Sequence, residues 1–211
     1  MYLENVKKYV TFGMDVNDDV GMWRKQGFGF VLLTVMTGTV PGVILRGHWI
    51  YLTLAMYLIS IACMVSVFIL TSQVPTLEEW LWIHFIVYAG WVLDLSILML
   101  MYFTIWKGFF PWLLLMHVPA IIVPLILGIK IYHMLKSDNY NPQKIAKGNF
   151  KTVGFSTGLV GVSFASIFRN VDQSTAFIIV LTIFTLINGL MSIGLVFIQK
   201  IYFMYKYKIY K

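Results

Sequence analysis

Asp94 is the residue whose chemistry most needs an account, because it stands in the middle of an apolar run over 81–106, with thirteen residues before it and twelve after. A carboxylate at that depth in a bilayer costs at least ~2.5 to 3.5 kcal/mol, so it must be neutralised or paired. The tight turn at Lys107-Gly108 sets the register of the two runs it joins. Reflecting position 94 through that turn lands near residue 120, within one helical turn of His117. A hydrogen bond between Asp94 and His117 would let a carboxyl and an imidazole share one proton, each changing the other's affinity for it. Such a pair reads in two ways: as a proton or cation relay in a transporter or channel, or as a buried polar pair that fixes helix register. Asn188, in the last apolar run, is an alternative partner for Asp94, and a second chain is another.

On the same run His84, Tyr88, Trp91 and Leu95 recur at helical spacing and form a stripe with a polar inner end. It either lines a water-filled cavity or packs between helices, with tyrosine and tryptophan finding local hydrogen bonds. Lys130, level with His84 by the same reflection, reaches headgroups by snorkelling. Thr37 to Gly42, with Pro41, and the trio Pro111, Pro119 and Pro124 predict kinks or local unwinding in two other runs. The carbonyls freed there coordinate ions in some transporters, although prolines are also ordinary in membrane helices.

The remaining motifs lead to structural readings. Gly154-Phe155-Ser156-Thr157-Gly158 fits the G-x-S-x-G nucleophile pattern, but that pattern needs a strand-to-helix elbow and a base, and no histidine follows it. Gly154, Gly158, Gly161 and Ala165 instead make a small-residue face for close helix packing. Asp15 to Asp19 matches the first half of a calcium loop, yet Val20 stands where glycine is required and Gln26 where a bidentate glutamate belongs. His48, His84, His117 and His133 show no metal-ligand spacing, and the single cysteine, Cys63, has no partner within the chain. No catalytic, cofactor or metal site is assigned, and an enzyme is the least supported class.

The elements that carry these residues follow from composition. The chain is 59% hydrophobic and 12% charged, against roughly 25% charged in ordinary soluble domains. Apolar runs fall at 27–45, 49–70, 81–106, 109–135, 153–168 and 174–199, and four of them exceed the ~20 residues that cross a bilayer. The run at 153–168 is short and rich in glycine and serine, so length alone leaves five spans open beside six. Charge favours six. With six crossings Lys7, Lys8, Arg24, Lys25, Lys136, Lys144, Lys147, Lys151 and the lysines after 199 share one side, as the positive-inside rule requires. The net charge of +7 is explained by these clusters at run ends, and nucleic acid is not expected as a partner.

The expectation is an all-α integral membrane protein, a bundle of about six transmembrane helices in three hairpins with tight outer turns at 46–48, 107–108 and 169–173. A short amphipathic helix with Leu3, Val6, Val10 and Met14 on its apolar face lies in residues 1–26, the membrane domain covers 27–199, and a basic tail covers 200–211. No cleavable signal is expected, and the protein is placed in the cell membrane with both termini cytoplasmic. Its partners are the lipid bilayer and either a second copy or another membrane protein. The function expected is non-enzymatic binding, as an immunity or protective factor or as an accessory or regulatory subunit of a membrane complex. The alternative is a small proton- or cation-coupled transporter or channel centred on Asp94 and His117.

Overall fold

The computed structural model describes residues 2–12, 24, 28, 31, 32, 35, 39, 47, 49–71, 76–106, 110–137, 140–141 and 172–209. Its helices are α1 (Tyr2–Thr11), α2 (Trp49–Leu70), α3 (Leu77–Trp106), α4 (Phe110–Leu135), α5 (Gln173–Met191) and α6 (Phe197–Lys206), with a 3-10 turn, Ser192–Val196, joining the last two. No strand occurs among the described residues. Four stretches, Trp49–Leu70, Leu77–Ile105, Trp112–Leu135 and Ile178–Lys206, are long and apolar enough to cross a membrane. Most of the run at 27–45, all of 153–168 with Gly154, Gly158, Gly161 and Ala165, and the calcium-loop-like Asp15 to Asp19 lie outside the described residues.

Local chemistry sets the helix ends. α3 begins at Leu77, four residues before the apolar run, because Thr76 and Glu79 cap each other. The Glu79 carboxylate accepts from Thr76 N at 2.6 Å, and Glu79 N donates to Thr76 Oγ1 at 3.3 Å. α5 begins after Asp172, whose carboxylate accepts from Thr175 N at 3.0 Å. α4 stays helical through Pro119 and Pro124, so the unwinding expected there does not occur. The last span runs past residue 199 to Lys206, and in this stretch Ile201, Phe203 and Met204 are buried.

Packing follows from which faces are apolar and small. The buried residues of α2 (Thr53, Met56, Ser60, Cys63 and Val67) alternate at three- and four-residue spacing and form one seam against α3. α3 runs antiparallel to α5 and α6, with Tyr102 against Phe184, Ser96 against Asn188 and Tyr88 against Phe197. α4 runs parallel to α5 and α6. A Cβ on Gly189 would lie 3.1 Å from Pro119, Gln199 donates to Gly128 O at 3.2 Å, and Leu135 shares a core with Ile201 and Met204. Although α3 and α4 are consecutive, α4 packs more on α5 than on α3.

α1 closes one end of the bundle. Val6, Tyr9 and Val10 join Leu81, Leu135, Ile201 and Met204 in one core. Of the apolar face read from the sequence, Val6 and Val10 are buried with Asn5 and Tyr9 on the docked side, while Leu3 is exposed. Asn5 Nδ2 donates to Leu135 O and Ser137 O, both at 3.1 Å, filling carbonyls that the end of α4 leaves orphaned. Lys200 Nζ donates to Phe12 O at 3.0 Å and lies over the rings of Tyr9 and Phe197. At the same end Arg24 reaches Thr71, the residue after α2, donating to its carbonyl at 2.6 Å and its hydroxyl at 3.1 Å. The cation thereby meets the negative end of the α2 dipole.

Candidate functional site

Of the polar residues singled out in the sequence, Asp94, Asn188 and the pair His84 and Tyr88 occupy three separate helix interfaces, and His117 joins none of them. Asp94 is 2% exposed and Ser60 is fully buried, and Ser60 Oγ donates to Asp94 Oδ2 at 2.6 Å across the seam of α2 and α3. Asp94 thus joins the same seam as Cys63, whose thiol donates to Ile86 O at 3.6 Å. The hydroxyl fills one acceptor position of the carboxyl, which offsets part of the cost of placing it there.

The expected hydrogen bond between Asp94 and His117 does not form. His117 is half-buried, and its Nδ1 contacts Leu113 O of its own helix at 2.8 Å. Reflecting the chain through a tight turn fixes depth along the helices but not the direction each side chain takes around its axis. Asp94 faces α2, whereas α4 leans on α5. Nor does Asn188 reach Asp94. Asn188 Nδ2 donates to Ser96 Oγ at 3.1 Å and approaches Met99 Sδ at 3.8 Å. Positions 94 and 96 lie about 200° apart around a helix, so the two polar contacts look to opposite neighbours.

His84 and Tyr88 form the third group. His84 Nδ1 sits 2.7 Å from Trp80 O, its ring stacks on Phe197 with centroids 4.5 Å apart, and Trp80 meets it edge-on at 4.9 Å. Tyr88 stacks nearly parallel to Phe197, with an 8° interplanar angle, and its ring covers Gly194. The predicted stripe of His84, Tyr88, Trp91 and Leu95 is therefore a packing face, and Tyr88, Trp91 and Leu95 join one apolar core with residues of α5. Lys130 is exposed on α4.

Glycine supplies close approach at places the sequence reading did not single out. A Cβ on Gly194 would stand 1.9 Å from Tyr88 Cγ, so that ring fits only because position 194 has no side chain. The clue lay in Gly189, Ser192 and Gly194, three small residues within six positions of the last apolar run. Among the described residues no group of three or more histidine, cysteine or acidic side chains is placed to hold a metal ion.

A groove of about 720 Å³ opens between α4 and α6, and none of Asp94, His117, Asn188, Tyr88 or His84 lines it. Its inner walls include Pro124, Gly128, Leu195 and Val196, and its rim carries Lys136, Lys206, Tyr2 and Tyr207. Burial, and then the hydrogen bond and charge of Tyr207, push the Tyr2 hydroxyl up to about 12. Compared with protein-family models, with curated proteins and with solved structures, the chain matches none.

Proposed function

We propose that this chain is a polytopic membrane protein that acts by binding rather than by catalysis, as an immunity or protective factor or as an accessory or regulatory subunit of a membrane complex. The observation that carries the reading is the dispersal of the intramembrane polar groups. Asp94 with Ser60, and Asn188 with Ser96, each bridge a different helix pair, which is how polar side chains act as glue between membrane helices. The exposed apolar faces support it as well. In α4 Trp112, Leu114, Leu115, Ile121, Leu125 and Ile129 are all more than half exposed, a surface for lipid or a second membrane protein.

A bilayer location with six crossings and both termini cytoplasmic fits this proposal. The parallel run of α4 and α5 supports a crossing between them, for which 153–168 is the apolar stretch available. Lys7, Lys8, Arg24, Lys136, Lys200 and Lys206 gather at the end of the bundle where α1 docks, which the positive-inside rule assigns to the cytoplasm.

The buried carboxyl of Asp94 keeps a second reading in view, a proton- or cation-coupled transporter. Asp94→Asn separates the two, because an amide retains a hydrogen-bonding group beside Ser60 but cannot carry the charge. Purified protein in vesicles under an imposed pH gradient should give no ion or proton flux in either the parent or Asp94→Asn. Flux in the parent that vanishes in Asp94→Asn, with folding intact, would replace the binding reading with transport.

A further inference from the structure

We propose that the groove between α4 and α6 holds one anionic phospholipid, its phosphate between Lys136 and Lys206 and an acyl chain lying along the helix walls beneath them. The inference rests on the bilayer location and not on the binding function proposed above.

Charge and depth together define the occupant. Lys136 Nζ lies 4.4 Å from the centroid of the Tyr132 ring, and Lys206 Nζ lies 5.3 Å from Tyr202 and 5.6 Å from Tyr207 while donating to the Tyr202 hydroxyl at 3.1 Å. The rings hold the ammonium groups in place without neutralising them. Among the described residues no carboxylate lies within ion-pair distance of either lysine; the ion pair found there is Lys8 with Glu4. Two exposed cations thus stand at the rim of one groove with no carboxylate beside them among the described residues.

Below them the groove turns apolar. From Lys206 back to Leu195 is eleven residues and from Lys136 back to Pro124 is twelve, about 16 to 18 Å along a helix at ~1.5 Å per residue. That is about half of a ~30 Å hydrocarbon core, the depth of one leaflet. Gly128 has no side chain to close the wall, since a Cβ there would meet only Gln199 Oε1 at 3.8 Å. A free phosphate would use the cations and leave the apolar length empty, and a protein helix would bring no obligatory negative charge. A zwitterionic choline lipid carries its own cation and gains less from the lysines. An anionic phospholipid satisfies both halves of the groove.

The test uses the full chain in detergent micelles, titrated with phosphatidylglycerol or phosphatidylcholine and read by native mass spectrometry. The parent should retain one phosphatidylglycerol per chain in preference to phosphatidylcholine. Lys136→Gln with Lys206→Gln should weaken that binding ~30-fold, on the basis of ~1 kcal/mol per basic residue at an anionic surface. Lys7→Gln with Lys8→Gln removes the same charge at the same end of the bundle, outside the groove, and should change it less than about threefold. Each single lysine variant, checked for an unchanged melting temperature, should give an intermediate loss, so a folding defect in the double variant does not decide the outcome. Equal retention of the two lipids overturns the proposal. So does an equal loss in the Lys7 and Lys8 control, and so does complete displacement by inorganic phosphate or glycerol phosphate, which would make the site one for a free anion.

Discussion

Replacing Gly194 with alanine should destabilise the bundle by about 2 kcal/mol, and the figure follows from the geometry around Tyr88. The added Cβ would lie 1.9 Å from Cγ and 2.3 and 2.4 Å from the two Cδ atoms of the Tyr88 ring. Carbon atoms in contact settle at about 3.5 to 4.0 Å, so the ring must retreat by at least ~1.6 Å. It has little room to do so, because Tyr88 stacks on Phe197, which stacks in turn on His84. Overpacking of this kind costs ~1 to 3 kcal/mol, and the better backbone propensity of alanine returns ~0.5 to 1 kcal/mol. Starting from the upper figure leaves a net loss of about 2 kcal/mol. Thermal or denaturant unfolding in micelles measures it, with Gly128→Ala as the control, since its nearest non-local neighbour is at 3.8 Å. Tyr88→Ala should remove most of the penalty at Gly194, giving a coupling of at least ~1 kcal/mol in a double-mutant cycle. If Gly194→Ala melts with the parent, or if the two substitutions add independently, the contact between the ring and Gly194 is not a determinant of the fold.

Two further outcomes concern the docked N-terminal helix. Asn5→Ala should weaken docking of α1 by ~1 to 2 kcal/mol, because two hydrogen bonds to the end of α4 are lost and carbonyls buried there stay unfilled; faster amide exchange in α1 with the rest of the bundle unchanged is the expected signature, and uniform exchange rates would refute it. Burial also raises the hydroxyls of Tyr2 and Tyr140 from 10.0 to about 12, and burial followed by the charge of Tyr140 raises that of Tyr9. A phenol whose docked pKa exceeds its free value favours docking while protonated. That contribution is complete below pH 10 and is lost as the pH climbs toward 12, so α1 should release in that window, and accessibility of α1 to protease that stays flat from pH 9 to 12 would count against it.

The amount that could be read from the sequence differs sharply between depth and direction. Of the four stretches long and apolar enough to cross a membrane, apolar length located 49–70 by its bounds and two more, 81–106 and 109–135, to within four residues at each end. The start of α3 was missed because its signal is a polar pair, Thr76 with Glu79, that precedes the hydrophobic residues. Asp94 was legible as a buried group in need of a partner, since the cost of a charge at mid-membrane depends on depth alone. Its partner was not legible. The seam containing Ser60 comes from the preceding helix, and the turn at 107–108 says nothing about which way Asp94 points around its helix axis. The groove escaped notice for a related reason. Lys136 and Lys206 are seventy positions apart in the sequence and come together only because α4 and α6 run parallel.

The seat of α1 also bears on how the molecule is made. This helix leaves the ribosome before the other described helices, yet part of what holds it lies far along the chain: Lys200 Nζ donates to Phe12 O across 188 positions, and Ile201 and Met204 share its core. Until those residues have been made, its apolar side has only the part of that core built from α3 and α4 to pack against. A chain lacking Lys200, Ile201 and Met204 should therefore keep the Asn5 bonds to Leu135 and Ser137 but hold α1 less firmly.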